Sequence, residues 1–206
     1  MKAVALAVSA RENGNCYDFA RFVLNRLAIQ NIETELINFY DYRITPCQHC
    51  KYECLNHFNR LNGMNSYCPV DDDVRSIWEK TWQCELLFLF VPIYGGMPPA
   101  LWLAFSQRAQ AFFKESPLEK LKKSVVSAVV LSSPNQSSGG SWISSFMSDE
   151  VNSMDRKVSG FEVITQTEFE TDYILDRLIK EQEIQRRLEF MTDHTLSVAQ
   201  ELNSSK

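Results

Sequence analysis

The chain has 206 residues, a formal net charge of −5 and 45% hydrophobic residues. This length indicates one domain, or at most two, and the hydrophobic fraction is sufficient for a full core. The acidic balance argues against a general nucleic-acid or anionic-membrane partner, and no apolar run approaches the length that spans a bilayer.

Strand and helix patterns alternate along the chain. Val4–Val8 is a short apolar run that suits a strand buried on both faces, and from Cys16 apolar residues recur at helical spacing. The other predicted strands are Glu33–Asp41, Leu86–Pro92, "SVVSAVVL" (124–131) and "FEVIT" (161–165). The other predicted helices are Asp71–Trp82, Pro98–Phe113, a short one near Ser116, Ser138–Lys157 and, in one piece or two, Asp172–Leu202.

This alternation predicts an α/β fold, a doubly wound parallel sheet of five strands with helices on both faces. We expect a single domain over residues 1–206, with a cysteine-rich excursion at about 45–70. No export-type cleavage pattern precedes the first strand, so we expect a mature cytoplasmic protein. Ligands of such sheets bind beyond the carboxyl ends of the strands, which draws attention to the loops after strands one, three and four.

The first of these loops is polar and leads directly into a helix. A helix start offers backbone N–H groups and a positive dipole end, which together suit an anion. Ser9, Asn13 and Asn15 add short polar side chains, while Gly14 permits a close turn and Arg11 adds positive charge. The loop therefore suits a terminal phosphate. The alternative is an ordinary polar turn in which Asn15 caps the helix.

The loops after the third and fourth strands are also candidates. "VPIYGGMPP" combines prolines and glycines into a stiff loop with exposed backbone, and Tyr94 adds an aromatic face with a polar tip. This composition suits a flat polar ring, although a plain strand–helix connection with a core tyrosine has the same features. Ser132–Trp142 is rich in small polar residues, and the sequence leaves open whether it closes over the same ring.

Three segments resemble one enzyme family. "SARENGN" resembles the S-x-R-x-x-G-N phosphate loop of the NAD(P)H-dependent FMN reductases, which have a flavodoxin-like fold. "VPIYGGMPPALWLAFSQR" resembles their P-x-Y-x-G…K-x-x-x-D-R segment, and the cysteine excursion with the acids after it resembles the iron–sulfur flavoprotein branch. The resemblance spans roughly Val4 to Leu131. It implies a sheet order of 2-1-3-4-5 and FMN as cofactor.

The resemblance also implies which residues hold FMN, with the phosphate on the first loop and the ring against the second. The implied cofactor-binding residues are Ser9, Arg11, Asn13, Gly14, Asn15, Cys16, Pro92, Ile93, Tyr94, Gly95, Gly96, Met97, Ser132, Gly139 and Gly140. Two departures stand out. Cys16 occupies a position where the family usually has Ser or Thr. Leu103 and Gln107 replace its Lys and Asp, which leaves Arg108 without that partner.

The cysteine excursion contains a candidate metal site. Cys47, Cys50 and Cys54 have C-x₂-C-x₃-C spacing, and Cys68 follows later. Four thiolates suffice for a [4Fe–4S] cluster or a structural zinc, with His49 and His57 as spare ligands, whereas free or packed thiols are the remaining alternative. The iron–sulfur branch has tighter spacing. With or without metal, we expect the four cysteines to lie close together.

The implied activity is transfer of a hydride from NAD(P)H to FMN and of electrons onward to a quinone, a free flavin or another small-molecule acceptor. No protein acid or base is required, so no catalytic residue is named. The alternatives are an iron–sulfur flavoprotein-type electron carrier and a flavodoxin-like binding module without turnover. We expect a homodimer or homotetramer, and neither nucleic acid nor membrane as a partner.

Overall fold

Five parallel strands form one sheet in the order β2-β1-β3-β4-β5, which confirms the predicted flavodoxin-like topology. The computed structural model describes residues 1–48, 50–51, 53–54, 68–112, 116–132, 140–165, 168–169 and 177–204, without the side chains of residues 140–143. The strands are β1 (Lys2–Ala7), β2 (Glu33–Asn38), β3 (Leu86–Pro92), β4 (Val125–Ser132) and β5 (Lys157–Thr165).

Helices cover both faces of this sheet. They are α1 (Asn15–Ile29), α2 (Val74–Gln83), α3 (Ala100–Gln107), α4 (Leu118–Leu121), α5 (Gly140–Asn152) and α6 (Gln182–Ser204). Short 3₁₀ helices occupy Phe39–Asp41, Ala109–Ala111 and Leu178–Lys180. One apolar cluster joins the sheet to α1 and α6, and another joins it to α2, α3 and α5. Every residue of β3 and β4 is buried, because helices pack on both sides of these central strands.

Two strand boundaries differ from the prediction. β2 ends at Asn38 and the chain continues as a 3₁₀ helix, whereas the sequence pattern extended the strand to Asp41. β5 begins at Lys157, four residues before "FEVIT", and α5 ends at Asn152. The first residues of β5 lack apolar alternation, and they are strand because they pair with β4 from Val125 onward.

The carboxyl ends of the central strands meet at one edge of the sheet. Val8 N donates to the carbonyl oxygen of Phe90 at 2.9 Å, and Ile93 N donates to that of Leu131 at 2.9 Å. These bonds extend the β1–β3 and β3–β4 ladders by one residue each and place the loops after these strands side by side. Within the described residues, no helix combines the length and apolarity that crossing a bilayer requires.

Candidate functional site

A cleft of about 280 Å³ opens at this edge of the sheet. Its lining residues come from the loops after β1 and β3 and from the end of β4. They are Ser9, Arg11, Gly14, Asn15, Cys16, Pro92, Ile93, Tyr94, Gly95 and Leu131. The structure therefore brings together most of the residues that the sequence assigned to the first two loops.

One wall of the cleft is the start of α1. Its N-cap is Gly14, whose extended backbone has φ −89° and ψ −179° and which has no side chain to accept from the first-turn N–H groups. A helix start of this kind presents its N–H groups and its positive dipole end to whatever lies in front of it. This wall of the cleft is therefore suited to an anion, as the sequence predicted.

The two loops are joined by a hydroxyl pair. Ser9 Oγ lies 3.0 Å from the Tyr94 hydroxyl, and it also accepts from the backbone N–H of Arg11 at 3.1 Å. Ser9 is only 3% exposed, whereas Tyr94 is 36% exposed and lines the cleft. This pair fixes the aromatic ring of Tyr94 relative to the helix start, so the two walls keep a defined separation.

The loop after β3 closes on itself tightly. Tyr94 N donates to Met97 O at 2.9 Å, and Met97 N donates to Tyr94 O at 3.1 Å. The two residues between them have positive φ, 58° at Gly95 and 76° at Gly96, a conformation that side chains disfavour. A Cβ atom built on Gly95 would meet no atom within 4 Å, so this part of the loop borders open space in the cleft.

Asn15 does not cap the first turn of α1, although the sequence allowed this role, and its side chain bonds a distant residue instead. Its Oδ1 accepts from the backbone N–H of Leu178 at 3.0 Å, and Gly14 is the N-cap, so the alternative of Asn15 as helix cap is wrong. Close by, Arg177 makes a bidentate ion pair with Asp18. The segment that precedes α6 is therefore fastened to the start of α1 beside the cleft.

Cys16 lines the cleft as a buried thiol. It is 2% exposed, and burial raises the pKa of its thiol despite the opposing charge of Arg11. The side chain therefore stays neutral at physiological pH and places no negative charge beside an anion. At this position the family that the sequence resembles has a hydroxyl, whereas this chain has a weaker hydrogen-bond donor.

Several predicted residues do not line the cleft. Asn13 is exposed, and Gly96, Met97 and Ser132 lie outside the lining as well. Gly139 lies outside the described residues, and for Gly140 the structure describes only that it begins α5. The loop at 133–139, which we expected near a bound ring, is likewise outside them.

Sequence reasoning missed two supporting residues. Asn38, at the end of β2, is 4% exposed and its Nδ2 donates to the carbonyl oxygen of Glu12 at 3.0 Å, which supports the first loop from the side. Leu131 lines the cleft from the end of β4. Asn38 had a detectable signal, because a polar residue that ends the strand beside β1 must lie next to the loop that follows β1.

The cysteine excursion does not form a metal site in the described residues, which include all four cysteines. No three or more His, Cys, Asp or Glu side chains are grouped there so as to hold a metal. Cys47 is exposed and Cys54 is packed in the apolar cluster of α2, α3 and α5. Cys68 Sγ accepts from Arg108 Nη2 at 3.3 Å. His49 and His57 lie outside the described residues.

Arg108 has an acidic partner that is not the residue at position 107. Its guanidinium is 2% exposed and forms an ion pair with Asp72, whose side chain is fully buried. It also donates to the carbonyl oxygens of Thr45 at 3.2 Å and Val70 at 3.4 Å. Arg108 thus lacks the family's partner at position 107, and Asp72, just after the cysteine excursion, supplies a carboxylate in its place.

Comparison with known proteins places the chain in a family. Residues 1–145, more than half of the chain, match the NADPH-dependent FMN reductase family. The chain belongs to this family. The matched region contains β1, α1, β3 and β4, and with them all ten residues that line the cleft.

Individual relatives share parts of the chain. The chain is 32% identical over 96 residues to an iron–sulfur flavoprotein of Methanocaldococcus jannaschii. The aligned residues are 47% of this chain and 45% of that protein. It is 25% identical over 109 residues to an iron–sulfur flavoprotein of Methanosarcina thermophila, covering 53% and 52%. The match therefore spans about half the length of these relatives.

A solved structure shares the fold. RosB, crystallised with the bound intermediate 8-demethyl-8-formylriboflavin-5'-phosphate, superposes with a TM-score of 0.75 at 14% identity, over 100% of this chain and 81% of that one. At this identity the likeness shows the fold alone.

Proposed function

We propose that this chain is an FMN-dependent oxidoreductase that takes electrons from NAD(P)H and passes them to a small-molecule acceptor such as a quinone or a free flavin. The observation that carries the proposal is the cleft at the carboxyl ends of β1 and β3, where a helix start and the Tyr94 loop face one space. Family membership supports the same cofactor, and RosB provides a relative in fold that binds a flavin phosphate.

The residues present fit FMN on both walls. The N–H groups at the start of α1 and the Arg11 side chain would bind the phosphate, and neutral Cys16 would not repel it. The glycine turn at Gly95, beside open space, would let a ring approach the backbone. Tyr94 would fix the position of this turn through its bond to Ser9.

When bound, FMN supplies the hydride and electron chemistry, and the protein supplies binding and orientation. No titratable side chain of the cleft is needed as acid or base in this proposal. The open side of the cleft would admit nicotinamide and acceptor in turn. The backbone N–H groups of Gly95 and Gly96 would tune the ring by hydrogen bonding, since that of Tyr94 already donates to Met97 O.

The first test is flavin binding, followed by turnover. Purified protein stripped of flavin should quench FMN fluorescence on titration and should bind riboflavin, which lacks the phosphate, at least about tenfold more weakly. NADH and NADPH oxidation is then measured with a quinone, with free FMN and without acceptor. Flavin binding without nicotinamide oxidation would leave an electron carrier, and the absence of flavin binding would contradict the proposal.

An iron–sulfur electron carrier is the second candidate function. It is favoured by the four cysteines and by the two relatives, both of which are iron–sulfur flavoproteins. The described positions of the cysteines do not fit a cluster, since Cys54 is packed among apolar side chains and Cys68 contacts Arg108. Iron and sulfide analysis of protein purified without oxygen tests this candidate, and about four irons per chain would establish it.

A further inference from the structure

A buried carboxylate lies beside the helix start to which the proposed function assigns the FMN phosphate. Asp18 belongs to the first turn of α1 and is 7% exposed. It follows Asn15, a residue of the cleft lining, by three positions. Side chains at this spacing on a helix are neighbours, with about 5–6 Å between their Cβ atoms, and they tilt toward the helix N-terminus. The Asp18 carboxylate is therefore next to a residue of the cleft wall.

This carboxylate, if unpaired, would oppose the binding of a phosphate. The positive end of a helix dipole stabilises either anion, but two anions at one helix start repel each other. Solvent and salt screen a buried charge much less than an exposed one, so Asp18 has more effect than Glu12, which is exposed in the first loop. The start of α1 would then be a poor site for the FMN phosphate.

Arg177 supplies the opposite charge. Its Nε and Nη2 donate to the two carboxylate oxygens of Asp18 in a bidentate ion pair. Bidentate pairs of this kind are among the strongest hydrogen-bonded contacts of a guanidinium. The side chain of Arg177 is 46% exposed, so the cation keeps part of its hydration while it neutralises the buried anion.

Leu178 fixes Arg177 in this position. Leu178 N donates to Asn15 Oδ1 at 3.0 Å, and the Leu178 side chain, 2% exposed, packs in the apolar cluster that joins the sheet to α1 and α6. Two consecutive residues thus contact Asn15 and Asp18, which places both of these side chains on one side of α1. A segment 159 positions along the chain from Asp18 makes this side of the helix start electrically neutral.

We propose that Arg177 is a positioning residue for the FMN phosphate, because it neutralises Asp18 and leaves the N–H groups of α1 and the charge of Arg11 to the phosphate. The inference rests on the proposed function. It goes beyond that function by giving a phosphate-specific role to a residue outside the cleft lining and outside the region, 1–145, that matches the family. An electrostatic role of this kind acts on the phosphate and not on the flavin ring. FMN and riboflavin, which share the ring, therefore distinguish it from a merely structural role.

Flavin-free protein is titrated with FMN and with riboflavin, and flavin fluorescence gives both affinities. Arg177→Gln leaves Asp18 unpaired and should weaken FMN binding at least about fivefold, but riboflavin binding less than about twofold. Arg177→Lys retains the charge and should keep the FMN affinity within about threefold of wild type. As a control, Lys122→Gln breaks the ion pair with Glu119 before β4, at the opposite edge of the sheet, and should change neither affinity.

Asp18→Asn completes the set of variants. Alone it retains the cation, and it should bind FMN at least as tightly as wild type. Combined with Arg177→Gln it removes both charges and should restore the FMN affinity to within about threefold of wild type. Unchanged FMN affinity in folded Arg177→Gln, equal losses of FMN and riboflavin affinity, or no recovery in the double variant would overturn the proposal.

A further comparison decides if Arg177→Gln does not fold. Asp18→Asn retains the cation that the double variant lacks, so it should bind FMN at least about threefold more tightly than the double variant, and equal affinities would overturn the proposal. Wild type that binds FMN no more tightly than riboflavin would contradict the phosphate site itself, and with it both proposals. A wild-type preference for FMN with the wrong pattern among the variants would contradict the role of Arg177 alone.

Discussion

Arg108 and Asp72 form a buried ion pair that joins the end of α3 to the chain between the cysteine excursion and α2. The Asp72 carboxylate also accepts from the backbone N–H groups of Thr45 at 2.8 Å and Val74 at 3.2 Å. Thr45 is at the start of the excursion and Val74 lies after its end, so one carboxylate holds both ends of the excursion together. The base of the excursion is thus anchored without metal.

We expect Asp72→Asn to destabilise the protein strongly. Removing one partner of a buried ion pair leaves an uncompensated charge, which costs about 3–5 kcal/mol of unfolding free energy. Urea denaturation measures this loss. Glu79→Gln breaks the exposed Arg75–Glu79 pair instead and should cost about 0.5 kcal/mol or less. Equal effects in the two variants would show that the Asp72 pair contributes no more than a surface pair.

The Arg108–Asp72 pair predicts that the free energy of unfolding depends on pH. Burial alone would raise the pKa of Asp72, but hydrogen bonds from Arg108, Thr45 and Val74 outweigh it and hold this pKa below its usual value. The stabilisation is therefore complete above the unfolded-state value of about 4 and is lost as pH falls through the folded-state pKa. The stability difference between wild type and Asp72→Asn should shrink over this acidic range, and a constant difference down to pH 2 would contradict the argument.

Asn15→Asp separates the two roles of this side chain. The new carboxylate can still accept from Leu178 N, so the fastening of the segment before α6 should survive and the melting temperature should change little. The negative charge would repel a phosphate at the start of α1 and weaken FMN binding by about 1–3 kcal/mol. Fluorescence titration measures this, with Asn25→Asp on the exposed side of α1 as control. Equal FMN affinity in both variants would show that the phosphate does not bind at the start of α1.

Tyr94→Phe tests the link between the two walls. The change removes one hydroxyl of the Ser9–Tyr94 pair and keeps the ring. A typical hydrogen bond contributes about 0.5–1.5 kcal/mol, so we expect FMN affinity to fall about two- to tenfold. Tyr40→Phe, at an exposed tyrosine, should not alter the affinity. A full loss of binding would instead show that the hydroxyl contacts the cofactor directly.

Substitutions at Gly95 distinguish backbone strain at this position from obstruction of the flavin ring by a side chain. Asn adopts positive φ more readily than Val, so Gly95→Val should lower the melting temperature more than Gly95→Asn. If the ring occupies the open space beside Gly95, both side chains should obstruct it and both variants should lose most of their FMN affinity. Normal affinity in Gly95→Asn would mean that the ring lies elsewhere.

Parallel-sheet topology was predictable from the sequence because buried strands such as β3 and β4 are continuous apolar runs separated by helical patterns. The position of the polar loop after β1 in front of a helix start was predictable for a similar reason. Anion binding there stays a prediction, which rests on the N–H groups that a helix start exposes in any fold. The first residues of β5 were not predictable, because they are strand only through pairing with β4. Their own sequence, "KVSG", carries no such signal.

Contacts between residues far apart in the chain were decided by the tertiary structure alone. Asp72 reaches Arg108 across 36 positions, Asn15 reaches Leu178 across 163, and Ser9 reaches Tyr94 across 85. The sequence supplies each polar group but not its partner, since many partners of equal chemistry compete. Folding brings one pair within hydrogen-bond distance, and burial then makes that pairing obligatory because an unpaired buried group is costly.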